Sequence, residues 1–224
     1  MPEVFAAAAP GTDHPTVDLT ATDLKQWAYC QRIPFYHHVL PVRPAPTYKM
    51  SRGKDVQGAV EALERRRGFR GYGMREGERR FSVWLHSDRL GLSGKLDLLI
   101  LTTDACYPVD FKDTAGGARR NHRFQLAAYA LLAEEAFDRP APDAFIYLVP
   151  EKRIIAIGLT EGDRGNARQA VLDMRRMIAL EELPAPTSVR SRWQIADSFS
   201  PLLIGEQTAT ASGLAENPHT CAAP

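Results

Sequence analysis

Two aspartates and a lysine in the middle of the chain have the residue types and spacing of a hydrolytic site. Asp97 ends the segment GKLD, and Asp110 and Lys112 lie in PVDFK a few residues later. Both segments have strand-like sequences, and residues two apart on a strand point to the same face of a sheet. We therefore expect Asp110 and Lys112 to project together, with Asp97 beside them if its strand is the neighbouring one.

This arrangement suits the hydrolysis of a phosphodiester. Two carboxylates can converge on a hard divalent cation, which polarises the scissile phosphate and lowers the pKa of a bound water. Lys112 can orient that water or stabilise the negative charge that develops in the transition state. The same residues are also compatible with an ordinary solvated polar face, because short motifs of this kind recur by chance.

The segment QLAAYALLAEEAF, which follows, carries two more polar candidates. Gln125 and Tyr129 are four residues apart and so share one face of the predicted helix. The Gln125 amide could form a hydrogen bond with the proposed catalytic strand or with a DNA phosphate. The alternative is that this face packs its aromatic residue into the core.

The segments that must position these residues alternate between helical and strand periodicity. The pattern predicts four helices: one that starts at Asp23 with Thr22 as its cap, and three over 50–67, 119–137 and 163–183. It predicts strands near 81–85 and in the segments LGLSGKLDLLIL, CYPVDFK, AFIYLV and RIIAIGL. This order predicts an α/β fold in which a mixed sheet is flanked by helices, with extra helical segments at both ends.

Length and composition describe an ordinary globular protein. The chain has 224 residues, of which 44% are hydrophobic and 25% are charged, so it can form one domain with a core and is not collagen-like or disordered. No apolar run approaches the roughly 20 residues that cross a bilayer, and the first residues lack the pattern of a signal peptide. We therefore expect a cytoplasmic protein without a membrane partner.

Nucleic-acid binding cannot be inferred from the overall charge. The 28 basic and 27 acidic residues give a formal net charge of +1, so contact with DNA must depend on a local cluster. GARRNHR is such a cluster, since it contains Arg119, Arg120 and Arg123 and no acidic residue. We predict that these arginines contact DNA phosphates.

The motifs GKLD, PVDFK and QLAAY, in this order and spacing, resemble the RecB-like nucleases of the PD-(D/E)xK superfamily. YCQR, RGKDV, TEGDR and MRRMIALEELPAP resemble in particular its CRISPR-associated branch, the fourth Cas family, over roughly residues 19–200. The resemblance implies a restriction-endonuclease-like fold. It also implies an exonuclease that processes single-stranded DNA overhangs for spacer acquisition, together with the CRISPR integrase formed by the first and second Cas proteins.

The resemblance further implies roles for individual residues. Asp97 and Asp110 would be ligands of Mg²⁺ or Mn²⁺, and Lys112 would be the catalytic lysine. Gln125 and Tyr129 would belong to the helix motif of the active site. The implied substrate is DNA with single-stranded ends.

One departure from the family pattern lies in RGKDVQGAVEAL. Gln57 occupies the position at which family members usually carry a histidine metal ligand. Because glutamine offers only a neutral carbonyl oxygen, we predict a weak metal ligand and an activity that is reduced or absent. Glu61, one turn onward, could add a carboxylate or could be an exposed helix residue. His37, His38 and His122 are expected at the surface or facing DNA.

A second departure concerns the cysteines. Family members hold an iron–sulfur cluster with one early and three late cysteines, and Cys30 in YCQR matches the early ligand. The late segment SRWQIADSFSP contains no cysteine, and Cys221 alone cannot complete a four-cysteine site. We therefore predict that no iron–sulfur cluster forms, and we expect Cys30 and Cys106 to be free, buried thiols.

These observations predict a domain organisation and leave three functions open. We expect a flexible arm over 1–19, a nuclease domain over 20–186, a degenerate cluster-binding segment over 187–204 and a disordered tail over 205–224. The first function is the metal-dependent exonuclease. The second, favoured by Gln57, is a catalytically weak subunit that binds DNA ends or a flanking motif. The third is a RecB-like repair nuclease outside CRISPR systems, which YCQR disfavours.

Overall fold

A mixed sheet forms the centre of the structure. The computed structural model describes residues 17–40 and 58–187, and within these ranges six strands join one sheet. They are β1 (Leu19–Thr20), β2 (Glu78–Ser87), β3 (Leu92–Leu101), β4 (Cys106–Lys112), β5 (Asp143–Leu148) and β6 (Arg153–Gly158). The order is β1-β3-β4-β5-β6, with β2 also paired to β3. Strand β3 is antiparallel to β2 and β4, whereas β4 and β5 are parallel.

Helices cover both faces of the sheet. They are α1 (Ala21–Tyr29), α2 (Arg32–His38), α3 (58–66), a 3₁₀ helix (Phe69–Tyr72), α4 (Arg120–Phe137) and α5 (Glu161–Leu180). A larger apolar cluster joins the sheet to α1, α4 and α5, and a smaller one joins the opposite face to α3 and the 3₁₀ helix. The predicted mixed α/β fold is confirmed. None of the described helices has both the length and the apolar character that a membrane span requires.

Two helices start earlier than the sequence predicted. The N-cap of α1 is Thr20 and not Thr22, because Thr20 Oγ1 accepts a 3.1 Å hydrogen bond from the N–H of Asp23. In return, the Asp23 carboxylate accepts a 2.8 Å bond from the N–H of Thr20. Thr160 and Asp163 form the same capping box at the start of α5. This reciprocal pair needs a threonine three residues before the acidic residue, which excludes Thr22.

The alternation of faces along β3 slips by one residue near Asp97. Leu96 and Leu99 both belong to the larger apolar cluster although they are an odd number of residues apart, and Leu98 belongs to the smaller one. On β2, Ser82 lies opposite this point and has a φ of 52°. A residue in this left-handed region interrupts the regular pleat. Asp97 therefore lies at an irregular point of the sheet.

Some predictions concern residues outside the described ranges. These are Gln57, Cys221, the predicted arm before residue 17 and the segments predicted beyond residue 187. For this part of the chain the sequence predictions stay predictions.

Candidate active site

Strand β4 has one charged face and one apolar face. The Lys112 ammonium Nζ lies 2.5 Å from Asp110 Oδ2, and both side chains are largely buried. Val109 and Phe111 pack on the other face, in the smaller apolar cluster. The structure thus places Asp110 and Lys112 together, as the alternation along a strand predicts.

Asp97 lies beside this pair on β3. Its Oδ2 accepts a 2.8 Å hydrogen bond from the backbone N–H of Phe111. The ladder between β3 and β4 ends at the pair Leu98–Val109, and the Asp97 carboxylate binds the backbone N–H two residues beyond Val109. Burial, followed by the negative charge of Asp110, raises the pKa of Asp97 to about 6. The two carboxylates therefore share one poorly solvated site.

Gln125 and Tyr129 connect α4 to this site. Lys112 Nζ donates to Gln125 Oε1 at 3.2 Å, and Gln125 Nε2 donates to the Tyr129 hydroxyl at 3.1 Å. The hydroxyl donates in turn to the carbonyl of Lys95 at 3.0 Å. Gly94 leaves room for the aromatic ring, since a Cβ there would lie 2.9 Å from Cε1 of Tyr129. The hydrogen bonds thus run from β4 through α4 to β3.

A second lysine, which the sequence analysis did not select, lies in the same cluster. Lys25 is half-buried on α1, and its ammonium interacts with Lys112, Asp110 and Asp97. Burial, followed by the positive charge of Lys112, lowers the pKa of Lys25 to about 8. In the sequence, Lys25 is recognisable only as a lysine next to the apolar Leu24 in a predicted helix. That position does not show which residues of other elements lie near the lysine.

His122 lies half-buried at the edge of the cluster, so it is not a freely exposed residue. Its Nδ1 accepts a 3.3 Å hydrogen bond from the N–H of Arg119. Burial, followed by the positive charge of Lys112, lowers the pKa of His122 to about 4. The ring is therefore neutral near pH 7, and its proton is on Nε2 because Nδ1 accepts. His38 is also engaged, with Nε2 at 3.3 Å from Asp23 Oδ1.

The three arginines predicted to bind DNA have different environments. Arg119 and Arg120 are exposed, and the Arg120 guanidinium lies 5.7 Å from the centre of the Phe124 ring. Arg123 binds Asp163 through hydrogen bonds of 2.5 and 3.0 Å and the carbonyl of Gly158 at 2.6 Å. Arg123 therefore holds α4 against the start of α5, whereas the first two arginines face solvent.

A protein-family match covers most of the chain. Residues 18–192 match the model of the PD-(D/E)XK nuclease superfamily. The chain belongs to this superfamily. Its fold, a mixed sheet with helices on both faces, agrees with that membership.

The curated relatives of this PD-(D/E)XK nuclease share one name, "CRISPR-associated exonuclease Cas4". The chain is 33% identical over 138 residues to the protein from Francisella tularensis subsp. novicida (strain U112), which covers 62% of this chain and 69% of the relative. It is 27% identical to the protein from Aeropyrum pernix, over 73% of this chain and 85% of the relative. It is 25% identical to the protein from Thermoproteus tenax, over 62% and 69%. These matches support the Cas4, RecB-like branch of the superfamily.

Divalent metals are general in PD-(D/E)XK nucleases, and the residues present fit one. Asp97 and Asp110 are like charges in a buried site, and a hard cation bound between them would relieve their repulsion. Glu61 is near enough to raise the pKa of Asp97 and accepts a 3.2 Å hydrogen bond from Ser82. Within residues 17–40 and 58–187, no three acidic, histidine or cysteine side chains form a preformed metal cage. Mg²⁺ suits such a site because it keeps several waters when it binds a protein.

Cys30 and Cys106 are buried and form no disulfide with each other. Cys30 packs where α1 and α2 meet α5, with Ile33, Phe35, Tyr36 and Met177. Both positions agree with the expectation of buried thiols. The absence of an iron–sulfur cluster stays a prediction, because the late segment lies outside the described residues.

Proposed function

We propose that this chain is a divalent-metal-dependent DNA exonuclease that trims single-stranded overhangs of DNA fragments for CRISPR spacer acquisition. The observation that carries the proposal is the cluster of Asp97, Asp110 and Lys112 on adjacent strands. The printed name of the relatives supports exonuclease chemistry and a CRISPR setting. The proposed partners are DNA with single-stranded ends and the CRISPR integrase of the first and second Cas proteins, in the cytoplasm.

The two carboxylates and the lysine have separate roles in this proposal. Asp97 and Asp110 would hold Mg²⁺ or Mn²⁺, which when bound supplies Lewis-acid polarisation of the scissile phosphate. Lys112 donates hydrogen bonds to the attacking water or to a phosphate oxygen, and it stabilises the negative charge that develops there.

Gln125 and Tyr129 act as positioning residues. Because a lysine ammonium only donates, Gln125 must present its carbonyl to Lys112 and its amide N–H to Tyr129. Burial, followed by the charge of Asp110, raises the pKa of Tyr129, so its hydroxyl stays protonated and donates to β3. This chain of bonds holds the Lys112 ammonium beside Asp110.

The exposed arginines supply the proposed DNA contact. Arg119 and Arg120 lie at the start of α4, close in sequence to His122, whose pKa is lowered first by burial and then by the positive charge of Lys112. Basic side chains in this position can bind backbone phosphates regardless of base sequence. Arg123 supports them by fixing α4 to α5 through Asp163.

The second candidate function is a catalytically weak subunit that binds DNA ends or a flanking motif. The observation that favours it is Gln57 at the position of the usual histidine ligand. A site with two carboxylates and a neutral amide binds a divalent cation more weakly than one with an imidazole in place of the amide.

A cleavage assay separates the two candidates. Labelled single strands and duplexes with overhangs are incubated with Mg²⁺, Mn²⁺ or EDTA. We expect shortening in either metal, none in EDTA, and none with Asp110→Ala. Asp104→Ala, which changes an exposed aspartate in the β3–β4 turn, should keep the wild-type rate. Tight binding of a strand that stays intact in every metal would reject the exonuclease and favour the binding subunit.

The effect of Gln57 is tested separately. Gln57→His should increase the cleavage rate at limiting Mn²⁺, because imidazole nitrogen binds a transition-metal ion more strongly than a neutral amide oxygen does, whereas Mg²⁺ prefers oxygen ligands. The metal concentration that gives half-maximal activity should fall in the same variant. An unchanged metal dependence would show that this position does not contact the metal.

A further inference from the structure

Lys25 is a charged side chain that the proposed mechanism does not yet use. It lies on α1, which starts at the Thr20–Asp23 capping box and packs against α4 and β3. The contact with β3 is close, because a Cβ placed on Gly94 would lie 3.3 Å from the Cβ of Ala21. Helix α1 is therefore held firmly over the strand that carries Asp97.

The neighbours of Lys25 are the proposed catalytic residues. Its ammonium is near enough to Lys112, Asp110 and Asp97 for their charges to affect its pKa. Lys112 already contacts Asp110 and Gln125. Two ammonium groups thus approach each other in a partly buried site, where like charges repel more strongly than in water.

The carboxylates of the cluster cannot neutralise both lysines during the proposed reaction. Asp97 and Asp110 are the proposed ligands of a divalent cation, and a carboxylate that binds a cation has less negative charge to offer its other neighbours. The site would then have an excess of positive charge. A phosphate group of DNA supplies the missing negative charge and two free oxygens that accept hydrogen bonds.

We infer that Lys25 is a second phosphate-binding lysine of this active site, whose ammonium binds a non-bridging oxygen of the scissile phosphate beside Lys112. This inference rests on the proposed nuclease function. Because the contact is to the backbone, it contributes affinity without base preference. A purely structural Lys25, which only pairs with the two aspartates, would affect folding and leave DNA affinity unchanged.

The first test measures DNA binding in the absence of cleavage. The full-length protein and Lys25→Gln are titrated with a fluorescent single-stranded oligonucleotide at several salt concentrations in a low, fixed concentration of Ca²⁺, a hard cation that binds carboxylates, and a gel checks that the strand stays intact. We expect the Kd of Lys25→Gln to rise about five- to tenfold, and the slope of log Kd against log salt to decrease by about 0.7, the value for one lost contact with a single strand. Lys25→Arg should keep the wild-type slope. Arg168→Gln, which removes an exposed charge from α5, is the matched control and should change neither value.

The second test uses the unaltered protein, so it does not depend on how a variant folds. Acetylation of lysines is followed by mass spectrometry with and without the oligonucleotide. We expect DNA to slow the acetylation of Lys25 at least severalfold and to leave the exposed Lys152 unaffected.

The outcomes separate this inference from the proposed function. Wild-type affinity and salt slope in Lys25→Gln, or equal acetylation of Lys25 with and without bound DNA, would overturn the inference even if the enzyme cuts. Binding without cleavage in every metal would reject the exonuclease, while the role of Lys25 in phosphate binding would still be decided by its own two measurements.

Discussion

Two groups of charged side chains lie near the two ends of α4, and they differ in whether like or opposite charges lie next to each other. At the end distant from the candidate active site, Arg164 of α5 binds Glu134 with a shortest contact of 2.6 Å. The Arg164 guanidinium also donates to the carbonyls of Leu159 and Ala141 at 3.0 and 2.7 Å. Glu134 accepts in addition from the N–H of Ala141. One positive and one negative group are thus matched and almost saturated with hydrogen bonds.

The candidate active site has the opposite character. Asp97 and Asp110 are like charges in one site, and Lys25 approaches Lys112. These contacts raise the free energy of the folded protein, whereas the Arg164–Glu134 pair is a structural link between helices. The four charges sum to zero, but like charges that lie side by side in a buried site are typical of sites that bind ions or charged ligands, because the bound group reduces their repulsion. The comparison therefore distinguishes the Arg164–Glu134 pair, which supports the fold, from the active-site cluster, whose charges are arranged to bind a metal ion and a substrate.

The largest predicted effect is on catalysis. Asp110→Asn should lower the cleavage rate about a thousandfold or more, equivalent to about 4 kcal/mol of activation free energy, because one proposed metal ligand and the partner of Lys112 are lost. Its thermal midpoint should change little, since the lost ion pair and the relieved repulsion with Asp97 offset each other. Rates and melting curves of purified protein measure both quantities.

The control for this substitution is Asp104→Asn, at an exposed position in the β3–β4 turn. It should leave both the rate and the midpoint unchanged. If Asp110→Asn instead unfolded the protein, the active-site charges would be structural, and the contrast between the two groups would be wrong.

A substitution in the Arg164–Glu134 pair should lower stability and leave catalysis nearly unchanged. Arg164→Met should lower the free energy of unfolding by about 3 kcal/mol, because it leaves Glu134 without its main partner in a largely buried position. The cleavage rate per folded molecule should stay close to wild type. Urea denaturation and active-site titration measure the two effects, with Arg168→Met one turn onward on the exposed face as the control. A stable but inactive Arg164→Met would contradict this assignment.

Local pattern was sufficient for much of the fold and for part of the site. The alternation in CYPVDFK predicted the two faces of β4, and the helical spacing predicted that Gln125 and Tyr129 act on one side of α4. These features depend on neighbours within one element or in adjacent elements. The cap of α1 was misplaced because Thr20 and Thr22 both precede Asp23, and only the three-residue spacing permits the reciprocal bonds.

Other features depend on contacts between residues far apart in sequence, which spacing does not encode. Lys25 reaches Lys112 only because α1 packs on α4 and β3. Arg123 was predicted to bind DNA, and its engagement by Asp163 arises from the packing of two helices. The slip of faces at Asp97 is equally a property of the paired strands, since Ser82 on β2 has the unusual backbone conformation.

Removing one of the two like charges should stabilise the protein. Asp97→Asn should increase the free energy of unfolding in EDTA by about 1–2 kcal/mol, because burial and Asp110 disfavour the Asp97 carboxylate while an amide oxygen can still accept from the N–H of Phe111. Cleavage should be lost in the same variant. Asp104→Asn serves as the control, and a loss of stability in Asp97→Asn would show that this carboxylate supports the fold.

The smallest predicted effect concerns Asp163, the ion-pair partner of Arg123, and how its contribution to stability depends on pH. Arg123 first, and then the Thr160 hydrogen bonds, hold the pKa of Asp163 below its usual range. A carboxylate with a lowered folded-state pKa stabilises the protein above its unfolded pKa of about 4, and this contribution is lost as the pH falls toward the folded-state value. Asp163→Asn should therefore cost about 1 kcal/mol at pH 7 and pH 5, and clearly less at about pH 2. Urea midpoints at the three pH values, with Asp173→Asn on the exposed face of α5 as control, measure this difference. If the stability lost in Asp163→Asn increased as the pH falls, the Arg123–Asp163 ion pair would not stabilise the folded protein. This pair would then resemble the like charges of the candidate active site and not the Arg164–Glu134 pair.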